Sequence, residues 1–161
     1  MSVVINGTGS ISGLSNVGGV SSAQSGSIIQ TVQATFATIT STTTTTFVNT
    51  GLSLSITPQF STSKILIFTN LMGIYASASN NYAGQRITRN GSSIIVFDHI
   101  SGYSQSGGSG GSNAAFMYLD SPATTSSISY VLQINVVSGS GTITWCNDNF
   151  TSTMTAMEIA A

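Results

Sequence analysis

From residue 27 onward, apolar side chains recur at every second position, in runs bounded by glycine, proline, asparagine and serine. That period sends successive side chains to opposite faces of an extended strand, and no segment carries the 3.6-residue period of an amphipathic helix. Across 28–39, Ile28, Val32, Ala34 and Phe36 alternate with Ile29, Thr31, Gln33 and Thr35. The threonine run 40–46 has strand propensity but little to bury, and predicts a strand end with a loop, or an edge strand. In 47–57, Leu52, Leu54 and Ile56 alternate with Ser53, Ser55 and Thr57 until Pro58 stops the pattern. Residues 64–75 are the most apolar and predict a central strand buried on both faces.

The second half adds turn signals. Asn90-Gly91 lies between two alternating runs and accepts the positive φ angles of a type I′ hairpin turn. Residues 101–111 (SGYSQSGGSGG) read as a long loop, 114–120 as a short strand and 126–137 as a long one. The Ser-Gly-Ser-Gly turn at 138–141 leads back into 142–146, and 153–159 closes the chain with Met154, Ala156 and Glu158 on one face. Eight or nine strands without a helix imply an all-β domain, either a two-sheet sandwich or a closed barrel. Long strands alternating with long loops favour a jelly roll, and no 20–50-residue repeat suggests a solenoid or propeller.

Residues 1–26 differ from this head domain of 27–161. Six glycines fall among Ser and Asn, but Val3, Val4, Ile5, Ile11, Leu14, Val17 and Val20 are spaced between them. Glycine at that density weakens both helix and strand, whereas a flexible linker would not carry so many branched aliphatics. The pattern predicts an irregular arm that docks those apolar residues on a neighbour. Fully extended, it reaches roughly 80 Å at ~3.3 Å per residue.

Charge limits the chemistry. Lys64, Arg86, Arg89, Asp98, Asp120, Asp148 and Glu158 are the only charged residues, 4% of the chain against about 25% in an average soluble domain. With a hydrophobic fraction of 40% and mean hydropathy of +0.31, the chain can bury a core and is not a disordered tail. Three basic residues cannot track a phosphate backbone or anchor to an anionic membrane, so no nucleic-acid partner is expected. Nor is membrane insertion expected, since no apolar run approaches ~20 residues and no secretory leader is recognisable. Low charge repulsion instead favours self-association, as an obligate oligomer or part of a larger assembly.

No catalytic, cofactor or metal site is expected. His99 follows Asp98, but neighbours in a strand point to opposite faces and cannot form a dyad. The carboxylates are scattered, without the pairing that acid–base work on a glycoside needs. Asp148 between Asn147 and Asn149 suits a turn better than an oxygen-ligand calcium loop. His99 would ligate a metal only if three copies met on an axis, which one sequence does not place. Cys146 reads as a packed thiol, and the Gly107–Gly111 stretch lacks the lysine and helix of a phosphate loop. Among the aromatics, Tyr75, Tyr82, Tyr103 and Trp145 fall at strand ends or in loops. Tyr103 and Trp145 are the candidate glycan contacts, because a ring face flanked by Asn and Ser can hold a sugar.

The opening VINGTGSISGLSNVGGVSSAQSGSIIQ, the block TGLSLSITP followed by TSKILI, and the hairpin RNGSS resemble small virion proteins of tailed phages, largely those of aquatic bacteria, including cyanobacteria. The resemblance implies a Gly/Ser-rich N-terminal stretch joined to a trimeric β-sandwich head, and a structural protein of the virion, assembled in the host cytoplasm. Two roles follow from it. One is a decoration (cement) protein on the capsid, docked through its arm; the other is a short tail fibre whose head loops bind host surface glycan. The resemblance brings no catalytic motif, and its partners would be other copies of the chain and a capsid or tail protein.

Overall fold

The computed structural model describes residues 24–101 and 110–161, without the side chains of 98–101. The arm residues Val3, Val4, Ile5, Ile11, Leu14, Val17 and Val20, the loop residue Tyr103 and the side chains of Asp98 and His99 therefore lie outside the described residues. Among the described residues, ten strands follow one another: β1 (Ile28–Phe36), β2 (Thr40–Thr42), β3 (Val48–Ile56), β4 (Lys64–Ala76), β5 (Tyr82–Arg89), β6 (Ser92–Ser101), β7 (Gly110–Asp120), β8 (Ile128–Ser138), β9 (Ile143–Trp145) and β10 (Ser152–Ile159). The one helical element among the described residues is a 3-10 turn at Asn147–Asn149.

One sheet runs β1-β10-β4-β7, with the short strand β9 pairing the last two residues of β4, Tyr75 and Ala76, and β2 pairing β9; the other runs β3-β8-β5-β6. The pairings are nested. β5 pairs β6, β4 pairs β7, β3 pairs β8 and β1 pairs β10, all antiparallel. This is a long hairpin closed at Asn90-Gly91 and wrapped into two layers, which is the jelly roll. Both turn residues have positive φ, 49° and 85°, as a type I′ turn requires. The Asn90 side chain also accepts from Ser129 N–H at 2.9 Å, tying the turn to β8.

The alternation in each strand fills the space between the sheets. Leu52, Leu54 and Ile56 of β3, Ile65, Ile67 and Leu71 of β4, and Ile128, Leu132 and Ile134 of β8 are buried together. Each such side chain contributes about 1.5–3 kcal/mol through burial. The first-sheet strand β10 adds Met154 and Ala156, and its inner-facing Glu158 is also buried.

The expectation that β4 is buried on both faces needs correction. Ile65, Ile67, Leu71 and Ile74 face the core, but Phe68 on the other face is exposed and Leu66 is half-buried. An antiparallel sandwich has no third layer, so even a central strand turns one face outward. The short strand expected at 114–120 starts earlier, at Gly110, and the threonine run supplies only the three-residue edge strand β2.

Candidate functional site

The outer face of the first sheet follows from its register. One row across it is Thr31, Met157, Leu66 and Leu119; the next is Gln33, Thr155, Phe68 and Met117. Ile28 pairs Ile159 at the end of the face, beside Lys64. Alternation that puts Ile65, Ile67 and Ala156 inside leaves this second set outside, and the set is itself apolar. Met117 is 67% exposed, Ile28 59%, Leu119 46% and Phe68 39%. Lys64 is the one charged residue in these rows. Phe68, Asn70, Ala115, Met117 and Thr153 also line a depression of about 490 Å³. A contiguous apolar patch on an otherwise polar surface marks an interaction site.

Two edges adjoin this face. Among the described residues, β7 pairs only β4 and β6 pairs only β5, so each has an edge without a strand partner. The gap between them is closed from inside by Phe97 and Phe116, whose rings stack at 4.2 Å between centroids. Unpaired edges are places where another chain can add.

The charged residues mostly serve the fold. Asp120 accepts from Arg89 Nη1 on both oxygens, at 2.9 and 3.0 Å, and from the Tyr130 hydroxyl at 2.6 Å. This ties β7 of one sheet to β5 and β8 of the other. Burial, then the hydrogen bond to Asp120 and its charge, push the Tyr130 phenol far above its ordinary value, so it stays a donor. Glu158 accepts from the Gln30 amide and from the backbone N–H groups of Gln59 (2.7 Å) and Phe60 (3.3 Å). Arg86 donates to Gln133 Oε1 at 2.6 Å and lies over the Phe47 ring. With their partners spent on structure, Asp120 and Glu158 do not form a paired acid–base site. No group of three His, Cys, Asp or Glu that could hold a metal occurs among the described residues.

Trp145 is not where a glycan contact must be. Its side chain is fully buried and its indole N–H donates to the Thr50 carbonyl at 2.8 Å, so no ring face meets solvent. Its neighbour Cys146 is buried too, with Sγ 3.2 Å from Ser152 Oγ. The exposed aromatics on this part of the molecule are Tyr75 and Phe150 instead. Sequence reasoning took note of Tyr75 but missed Phe150. It also missed the outer apolar face, which was legible in the second alternating set Leu66, Phe68 and Met117, Leu119.

No family model matches the chain, and no curated protein matches it. Among solved structures, infectious bursal disease virus Gx strain overlaps 81% of this chain and 32% of its own, with a TM-score of 0.46 and 16% identity. A T=1 particle derived from infectious bursal virus overlaps 91% of this chain and 40% of its own, with a TM-score of 0.47 and 15% identity. The chain thus spans less than half the length of either, and overlaps this partial say nothing of its function.

Proposed function

We propose that the protein is a virion structural protein. In this reading it is a homotrimeric jelly-roll subunit that decorates and stabilises the capsid surface and docks through residues 1–26. The observation that carries it is the outer face of the first sheet, where Ile28, Leu66, Phe68, Met117, Leu119, Met157 and Ile159 lie together beside a single charge. Fully burying an exposed side chain of this size contributes about 1.5–3 kcal/mol. These seven are already partly covered, so each gains only the share still exposed, and together those shares count against association costs of the order of 4–15 kcal/mol. A chain with seven charged residues has little repulsion to oppose such contact. The occupant of the face is a second copy of the chain. Jelly rolls occur in capsid and lectin domains alike, so the fold adds support by analogy only.

Two measurements test it. Light scattering on the purified protein should give a trimer. Phe68→Asp or Met117→Asp should yield a monomer with unchanged far-ultraviolet circular dichroism. A wild-type protein that stays monomeric at high concentration would remove the self-association reading. Antibody-labelled electron microscopy of the parent particle should then place label over the head. Label confined to the tail would make the protein a short tail fibre, and none on any particle would end the virion reading.

A further inference from the structure

At the end of the outer face away from Ile28, β4 carries a bulge. Leu71 pairs Ala114 and Ile74 pairs Ser112, so Met72 and Gly73 together oppose Asn113. Gly73 has φ +60°, and a Cβ there would lie 2.7 Å from the Asn147 nitrogen and 2.8 Å from its carbonyl oxygen. Glycine therefore lets the 3-10 turn rest directly on the bulge. Cys146 N–H donates to Met72 O at 2.9 Å, and Gly73 N–H donates to Asn113 Oδ1 at 2.8 Å. The turn itself holds three non-glycine residues at positive φ, namely Cys146 (54°), Asp148 (57°) and Asn149 (59°). Such conformations persist only where surrounding structure enforces them.

This clamp frames an open groove of about 480 Å³, lined by the rings of Tyr75 and Phe150 and by Asn113, Asn147 and Asp148. Its volume falls within the ~300–1,000 Å³ of small-ligand clefts. No Lys or Arg lines it, which disfavours phosphates and other anions, and Asp148 repels them. One carboxylate is too few for a calcium site, which takes 6–8 oxygen ligands. What the groove offers is two aromatic residues and three polar side chains that are partly engaged. Asn113 Oδ1 accepts from Gly73 N–H, and Asn147 Nδ2 donates to Asp148 Oδ2 at 3.2 Å. That leaves the Asn113 amide N–H groups, the Asn147 oxygen and the second Asp148 oxygen for a ligand's hydroxyls. A pyranose presents the complement, an apolar C–H face on a ring bordered by hydroxyls.

We propose that the groove formed by Tyr75, Phe150, Asn113, Asn147 and Asp148 binds a neutral saccharide. The sugar ring stacks on the aromatic surfaces and its hydroxyls bond to the amides and to Asp148. The site lies apart from the Phe68 and Met117 patch and does not rest on the assembly reading. It moves sugar recognition from the buried Trp145 to the groove beside it.

The test is amide NMR of the full chain titrated with methyl glycosides of glucose, galactose, mannose and N-acetylglucosamine, with sialyllactose as the anionic comparison. At least one neutral glycoside should shift Gly73, Tyr75, Asn113 and Asp148 selectively. Tyr75→Ser and Phe150→Ser should each weaken its binding by up to about tenfold, while Val96→Ser on the other sheet should not. No shift with any neutral glycoside, a preference for sialyllactose, or binding that survives both ring substitutions would overturn the proposal. Tyr75 is an exposed strand residue and Phe150 an exposed residue just after the 3-10 turn, and an unchanged circular dichroism spectrum separates lost binding from lost fold.

Discussion

Glu158 sits on the inner face of β10, where a carboxylate is costly unless donors surround it. Burial alone would raise its pKa. The Gln30 amide and the N–H groups of Gln59 and Phe60 outweigh that and hold it below its ordinary value of 4.5. A group with a depressed folded pKa contributes stability above its unfolded pKa, and that stability is lost as pH falls through the folded value. The contribution is therefore complete at neutral pH and fades below about pH 4.5. Glu158→Gln should cost about 1–3 kcal/mol at pH 7, read from chemical denaturation, and the gap from wild type should narrow as pH falls below 4.5. A gap that stays constant down to pH 3 would mean the carboxylate's charge contributes nothing. Because Glu158 joins β10 to β1 and to the segment after Pro58, this residue closes one end of the sandwich.

Two glycines show how strands turn and bend here. Gly91 closes the β5–β6 hairpin at φ +85°, and a Cβ there would meet nothing within 4 Å. Gly91→Ala should therefore cost only the left-handed backbone penalty of about 1–2 kcal/mol. Gly73→Ala carries the same penalty and adds a clash with the Asn147 backbone, so it should lower the melting temperature further and disturb the 3-10 turn. Equal melting temperatures for the two variants would show that the turn does not rest on the bulge. The contrast also explains what the sequence disclosed. The hairpin was legible because Asn90-Gly91 states its own geometry within two residues. The bulge was not, because Gly73 gains its role from a contact with Asn147, seventy-four positions away. Leu66 and Phe68 suggested burial on both faces of β4, yet hydrophobicity alone does not say whether the covering layer is in the same chain. Trp145 fell at a strand end as expected, but its depth depends on Thr50 in another sheet. The groove was hidden for the same reason, since no local pattern joins Tyr75 to Phe150.

At the scale of the whole molecule, the nested strand pairing brings the two ends of the head together. β1 and β10 are neighbours, and their ladder continues past Ile28, with Gly26 N–H donating to Ala160 O at 2.8 Å and Ala160 N–H to Ser27 O at 2.9 Å. Residues 26 and 27 thus sit at the Ile28–Ile159 corner of the apolar outer face. Among the described residues, the buried core lies on β3, β4, β5, β7, β8, β9 and β10 and at Cys146. Removing residues 1–23 should then leave that ladder, the jelly roll and the proposed trimer intact, with little change in melting temperature. It should abolish attachment to the particle, because in the proposed reading the removed residues Val3, Val4, Ile5, Ile11, Leu14, Val17 and Val20 are the ones that dock there. The measurement is co-sedimentation of the truncated protein with particles stripped of it, alongside light scattering of the free head. A truncated head that aggregates or unfolds would make those residues part of the core. A trimeric head that still binds particles would transfer the docking role from residues 1–23 to a surface of the head that the trimer leaves free.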